Sequence, residues 1–401
     1  MAITFTQGPQ RVAPGCNPYE WDFSSTQASQ PNFSFIVELY INGVYHSTHE
    51  TFLETVDGGK FNADGILRSY LNSNLITDGA LLTNYFEAFA KVNIKVYEKY
   101  GTPPILMGTA TAPNLIAINA ALNHVDFINW DYRNYDASRS NPFTAFPNTA
   151  NFLTYWPRSK KAFVGLDQRA FLGVLSLAKN VNFVFTLYDL FGAVVTTDTI
   201  NILTNELVVI DCSPATIVAN TAITIFEFDD SAYYTVQAQG LGVGTNTGFS
   251  EEFTFWLDFD CKRYPIRRLH WLNKFGVWDS FSFEMDSVES AEVTAQDYER
   301  NKGAWIEGAH TYPIYQGQNV TASKQSKAQM LLNSDWIAPE VQQWLVASLF
   351  ESPKVYLETP SGFEPVKVTN TSYQLKTRKR NGLIQEQVTL ERTYTYQSQL
   401  N

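Results

Sequence analysis

Val181-Asn182-Phe183-Val184-Phe185-Thr186-Leu187-Tyr188 places Val181, Phe183, Phe185 and Leu187 on one face and Asn182, Val184, Thr186 and Tyr188 on the other. Successive side chains of a β-strand point to opposite faces, so this stretch reads as a strand with one side toward a core. Phe253, Phe255, Leu257 and Phe259 repeat the pattern, alternating with Thr254, Trp256, Asp258 and Asp260. Leu207–Asp211, Thr221–Phe228 and Tyr233–Gln239 read as further strands at short intervals. Roughly seven short strands over 158–260 predict an immunoglobulin-like or fibronectin-like sandwich, without the Cys-Trp-Cys pattern of antibody domains.

Toward the N-terminus, Phe33–Ile41 alternates in the same way and meets Asn42-Gly43 before Val44-Tyr45-His46 resumes. Asn-Gly accepts the positive φ angles of a type I′ turn, so this is a β-hairpin. Asp64–Leu71 reads as a short helix, and Ala88–Tyr97 returns to strand alternation. Residues 1–133 are thus expected to be a second sandwich with one small helix. The stretch 134–157, rich in Asn, Ser, Thr and Pro, reads as a linker.

Toward the C-terminus, 261–401 mixes strands with a helix that opens at Pro339, where the missing N–H costs nothing. Val341, Leu345 and Leu349 form its apolar stripe, with Trp344 beside them. A long hairpin is expected to follow, with arms 366–377 and 383–396. The predicted fold is mainly β: two immunoglobulin/fibronectin-like β-sandwich modules, then an α+β module with a long C-terminal hairpin.

Composition narrows the function. The chain has 401 residues, 14% of them aromatic and 17% charged, with a net charge of −11. So many rings with so little charge exclude disorder and coiled coil. The acidic balance argues against sequence-specific nucleic-acid binding, which needs an excess of cations over phosphate. That acidity is uneven: 1–261 holds 13 bases and 25 acids, whereas 262–401 holds 16 and 15. Met1–Thr6 has no basic region leading into an apolar stretch, so no signal peptide is expected. The most apolar region, 171–195, is broken by Lys179, Asn180, Asn182 and Asp189, so no membrane span is expected either.

Motifs for chemistry are sparse. Cys16, Cys212 and Cys261 are too few and too scattered for a disulfide framework or a zinc knuckle. His46 and His49 form H-x-x-H, but their odd separation on a strand points them to opposite faces. Asp229-Asp230, Glu251-Glu252 and the pair Asp258 and Asp260 are the candidate carboxylates for glycoside hydrolysis or calcium binding. Adjacent acids at strand ends read more simply as solvated loop residues. Gly240–Gly248 is rich in glycine, yet no Gly-Lys-Ser/Thr follows and no helix is predicted after it. The expectation is a chain without catalysis, metal or cofactor. The basic cluster Lys376, Arg378, Lys379 and Arg380 reads as a contact for an acidic neighbour.

One stretch carries a family likeness. Cys261-Lys262-Arg263-Tyr264-Pro265-Ile266-Arg267-Arg268-Leu269-His270 continues into Trp271-Leu272-Asn273-Lys274-Phe275-Gly276-Val277-Trp278-Asp279-Ser280-Phe281-Ser282-Phe283. A basic strand leading into W-L-N-K-x-G-x-W-D-x-F-x-F resembles virion proteins of tailed phages that infect Bacteroidetes, such as the crAss-like group. The closing stretch Val366–Thr377, with a turn and then Leu383–Glu391, is similar to their terminal hairpin, and Phe33–Leu71 adds to the likeness. The resemblance implies a tail, neck-ring or baseplate subunit, assembled in the host cytoplasm as a symmetric homo-oligomer beside other tail or neck proteins. It carries over no catalytic residues. Arg378, Lys379, Arg380, Tyr373 and Trp344 are the expected oligomer contacts. Read without the resemblance, Asn273 to Gly276 is a hairpin turn with its tryptophans in a core. The alternative function is a carbohydrate- or receptor-binding β-protein whose exposed Trp and Tyr stack on sugars.

Overall fold

Apolar alternation at Ser34–Ile41 and Phe89–Tyr100 drives the first sandwich: Phe35, Val37, Leu39 and Ile41 are buried, as are Val92, Ile94 and Val96. This computed structural model describes residues 3–77, 79–84, 87–138, 149–177, 180–203, 206–241, 247–259, 263–300, 303–311, 319–370 and 384–397. The two strands pair antiparallel in a six-stranded sheet ordered Val12–Pro14, Leu115–Ile118, Phe89–Tyr100, Ser34–Ile41, Val44–Thr51, with Ile105–Thr111 also on Phe89–Tyr100. A three-stranded sheet of Ile3–Gln7, Glu20–Ser25 and Gly58–Asn62 contributes Trp21, Phe23 and Phe61 to the same core, and Leu67 of the helix Asp64–Tyr70 joins them. Asn42 and Gly43 have φ of 53° and 79°, the paired positive angles of the expected turn.

The second sandwich is built on Asn180–Tyr188, which pairs antiparallel with both Val194–Leu203 and Tyr233–Leu241. Phe253–Leu257 extends this sheet, and Phe183, Phe185, Tyr234, Val236, Phe253 and Phe255 are buried beneath it. A second layer pairs Phe171–Leu175 with Leu207–Asp211, and all ten of these residues are buried. Leu82–Asn84, from the N-terminal segment, pairs with Leu207–Asp211. The two predicted modules therefore share a sheet. The 3-10 turn Tyr132–Asn134 ends where 134–157 begins, and the described parts of that stretch hold the strand Thr149–Ala150, paired with Thr247–Ser250, in place of a bare linker.

One predicted strand is a helix. Ile225–Asp229 is helical because Thr224 and Glu227 form a capping box, with Thr224 N–H donating to Glu227 Oε2 at 2.6 Å. Each of these two side chains satisfies a backbone donor that the helix leaves open. The predicted strand 249–259 is two, Thr247–Ser250 and Phe253–Leu257.

The chain divides into two compact units: residues 1–259 with 271–280, and residues 260–270 with 281–401. In the second, a seven-stranded sheet runs in the order Trp278–Phe283, Arg267–Leu272, Val355–Thr359, Gly362–Val368, Gln387–Gln397, Asn319–Asn333, Ser287–Glu299. The helix Pro339–Ser348 buries Val341, Trp344, Leu345 and Val346. Among the described residues the predicted C-terminal hairpin is paired from Val366 to Val368 against Leu390 to Arg392, with Thr369 N–H donating to the Thr389 carbonyl beyond. Among the described residues the longest antiparallel pairing of the unit lies elsewhere: Ser287–Glu299 pairs with Asn319–Asn333 through thirteen register pairs.

Candidate functional site

Ser287–Glu299 and Asn319–Asn333 form an arm. At its root Met330 and Leu390 are buried in the core, while Glu289, paired with Met330, is exposed. The same face continues outward through Ala291–Ala328 to Val293–Ser326–Tyr396, where Val293 is 57% and Tyr396 71% exposed. The opposite face is polar, with Glu292 across from Lys327 and Gln329 donating to Glu292. Every residue from Val288 to Glu299 is exposed. A separate two-stranded ribbon, Ala304–Ile306 with Ala309–Thr311, carries Trp305 at 76% exposure. Among the described residues the outer strand of the arm is paired on one side only, and such an edge is a template for another chain.

Of the candidate carboxylates, Glu251 is engaged in structure. Arg158 makes two short bonds to Glu251, which also accepts from Phe152 N–H. Asp211 is wholly buried, paired with Arg169 and bonded by Ser213 N–H and Thr216 Oγ1. Asp260 and Cys261 lie outside the described residues, as does most of the glycine-rich loop. Ser47 Oγ stands 3.0 Å from His46 Nδ1 and 2.8 Å from His49 Nε2, a hydroxyl bridge along a strand. Among the described residues no group of three or more His, Cys, Asp or Glu converges as a metal site would require.

A buried constellation escaped the sequence reading. His270, fully buried, lies 2.9 Å from Glu358, and Arg268 donates to Ser282 Oγ at 2.7 Å. The guanidinium donates to that hydroxyl, and the imidazole stands against the carboxylate. Phe363 meets the His270 ring edge to face. The strands Arg267–Leu272, Trp278–Phe283 and Val355–Thr359 bring these groups together from positions up to 90 residues apart, a pairing no local spacing reveals.

No protein-family model and no curated protein matches the sequence. Among solved structures, the chain is similar to the calcium-binding domain CBD12 of CALX1.1. The identity is 10% over 64% of this chain and 100% of that one, with a TM-score of 0.18. A similarity of that degree identifies no ligand.

Glycan stacking needs open ring faces. Tyr188, Tyr233, Trp256 and Phe163 line up in register across four strands of the second sandwich. Tyr188 stacks on Tyr233 at 4.9 Å and 11°, Tyr233 lies 4.7 Å from Trp256, and Lys161 Nζ sits 3.4 Å above the indole. The rings cover one another, which is how cross-strand aromatic pairs stabilise a sheet. Replacing Trp256 by alanine is expected to lower stability by about 1–2 kcal/mol through lost stacking and cation–π contact. Urea denaturation checks this; a change of less than about 0.5 kcal/mol, the range of ordinary surface substitutions, would refute it.

Of the expected contact residues, Tyr373, Arg378, Lys379 and Arg380 lie outside the described residues. Trp344 is 4% exposed and packs against Phe281, so it belongs to the core of its unit and offers no surface to a partner.

Proposed function

We propose that this chain is a non-catalytic structural subunit that assembles with copies of itself. The observation that carries this reading is the arm strand Ser287–Glu299, thirteen residues long, exposed from Val288 onward and unpaired on its outer side among the described residues. At about 3.3 Å per residue it extends roughly 43 Å. Exposed edges of that length are a liability in a monomer and a resource in an assembly. The sequence resemblance supports a more specific form of the reading: a component of a tailed-phage virion, of tail, neck-ring or baseplate type, meeting other tail or neck proteins. No helix among the described residues is long and apolar enough to cross a membrane.

Mass photometry of the purified full chain across a dilution series tests the assembly. A discrete species heavier than the 45.3 kDa monomer is expected, dissociating on dilution. A monomer at every concentration would count against self-assembly. Mass spectrometry of purified phage particles tests the virion reading separately, since a chain absent from particles whose genome encodes it is not a virion component.

A further inference from the structure

One face of the second sandwich is built without charge. The strands that put Phe183 and Phe185 into the core turn their alternate residues outward, and these fall into rows. Thr197, Thr186, Thr235 and Thr254 stand in register across four strands, and Thr199, Val184 and Gln237 form the next row. On the other side of the threonines lies the aromatic row, whose register continues from Tyr188 to Val194 on the edge strand. None of these side chains is charged at neutral pH, in a chain of net charge −11. Thr197 and Thr199 are exposed, and Val184, Thr186 and Gln237 are half-buried. Lys161, over Trp256, stands at the border.

The face ends in an apolar tip. Asp189-Leu190-Phe191-Gly192 turns the chain from Asn180–Tyr188 into Val194–Leu203. The Asp189 carboxylate accepts from Phe191 N–H and Ala193 N–H, both at 2.8 Å, and Gly192 takes a φ of +81°. Those two residues satisfy the turn, the aspartate by bonding its own backbone and the glycine by accepting a positive φ. The side chains of Leu190 and Phe191 have no part in it, yet they are 82% and 96% exposed. The Tyr233 hydroxyl comes within 3.6 Å of a Cβ built on Gly192, so tip and aromatic row are continuous. Because the turn is already fixed, burying the two side chains would order little else.

The chemistry constrains what covers this surface. Anionic lipid and nucleic acid call for clustered cations, which these rows lack. Two copies of an acidic chain repel wherever their charges meet, so they approach best through a face that has none. Interface centres are depleted in charged residues and enriched in Tyr, Trp and Phe, as this face is. We propose that this face, with the Leu190–Phe191 tip, packs against the same face of a second copy. The proposal rests on the self-assembly reading and adds a surface of the first unit to the arm of the second. The contact is isologous: each copy offers the same patch, related by a two-fold axis.

Charge-swap variants of the full chain test it. Thr186 and Gln237 sit on the two central strands of the face, nearest to any two-fold axis through it. One variant carries Thr186→Lys and Gln237→Lys, the other Thr186→Glu and Gln237→Glu. Either alone sets like against like and is expected to raise the dissociation constant seen by mass photometry about tenfold or more. The lysine pair also brings the net charge from −11 to −9, so general repulsion between copies cannot account for its loss of assembly. Mixed one to one, lysine faces meet glutamate faces and the wild-type mass distribution should return. Only a face that meets itself allows that rescue. A third variant, Leu190→Ser with Phe191→Ser, should weaken assembly similarly with a melting temperature near wild type, because both side chains are exposed in the single chain. It carries the test should the charged variants melt early. Variants that assemble as wild type does would overturn the contact, leaving self-assembly standing and the face to an uncharged ligand such as a neutral glycan. Weakened assembly that the mixture does not restore would also overturn it, since the face would then meet a different patch. A wild type monomeric at every concentration would overturn this contact and the assembly reading together.

Discussion

Gly276→Ala is expected to destabilise the first unit by about 4 kcal/mol, at the upper end for a single substitution. Two effects combine. Gly276 has a φ of +79°, a region that a Cβ disfavours, and a Cβ built there would lie 2.0 Å from the carbonyl oxygen of Asn119. Nothing flexible gives way, because that contact is backbone. The surrounding turn is held on every side: Ser73 Oγ donates to the Gly276 carbonyl at 2.7 Å, Ala121 N–H to the Lys274 carbonyl at 2.8 Å, and Asn273 Nδ2 to the Leu153 carbonyl at 2.9 Å. Phe275 is 1% exposed, with the rings of Tyr155, Tyr135 and Trp130 at 4.5, 5.3 and 6.3 Å. The alanine would have to push this plug out of its socket.

Gly43 supplies the control. Its φ is also +79°, yet nothing lies within 4 Å of a Cβ built on it. Gly43→Ala should therefore cost only the backbone term, about 1 kcal/mol. With about 2–4 °C per kcal/mol for a domain of this size, thermal unfolding should separate the two variants by roughly 10 °C. Equal losses would mean that the close approach to Asn119 contributes nothing.

The turn at 273–276 was legible in the sequence as a turn, and its tryptophans as core: Trp271 and Trp278 are fully buried. What the sequence did not reveal is that residues 271–280 belong to the first unit while the flanking strand ends belong to the second. That follows from contacts with Ser73, Asn119 and Leu153, far away along the chain. The strands found from alternation share one property: one face buried and the other open, as in Ser34–Ile41 or Phe253–Leu257. Burial on one side is what writes a period of two into a strand. Ser287–Glu299 has no such signal because it is exposed on both faces, so the arm was invisible to pattern reading. The helix at Ile225–Asp229 failed for another reason: its five residues contain Ile225, Phe226 and Phe228, which suit a strand, and the Thr224-x-x-Glu227 cap was the only local evidence against one. Trp344 shows the limit for sites. The helix around it was readable, but whether its indole faced a partner or a core depended on Phe281, 63 positions away.

Arg169 and Asp211 form the second place where a single change should be costly. Asp211 has no exposed surface, and Arg169 Nη1 pairs with its Oδ2 while also donating to Thr216 Oγ1 at 2.9 Å. Asp211 ends the strand Leu207–Asp211, and Thr216 lies in the helix Pro214–Asn220, so the pair fixes how strand passes into helix. Arg169→Leu keeps much of the side-chain volume and removes the cation, leaving a buried carboxylate whose charge is uncompensated. Breaking a buried pair from one side costs about 3–5 kcal/mol, more than the pair contributes as a whole, because desolvation of the surviving charge is no longer offset. The double variant Arg169→Leu, Asp211→Asn removes that charge too. Asparagine can still accept from Ser213 N–H through its carbonyl oxygen and donate to Thr216 Oγ1 through its amide, so the double variant should lose only about 1–2 kcal/mol. The expected result in urea denaturation is that adding the second substitution restores stability to the first. If the double variant is as unstable as Arg169→Leu or worse, the loss comes from the packing of the arginine stem and not from the stranded carboxylate.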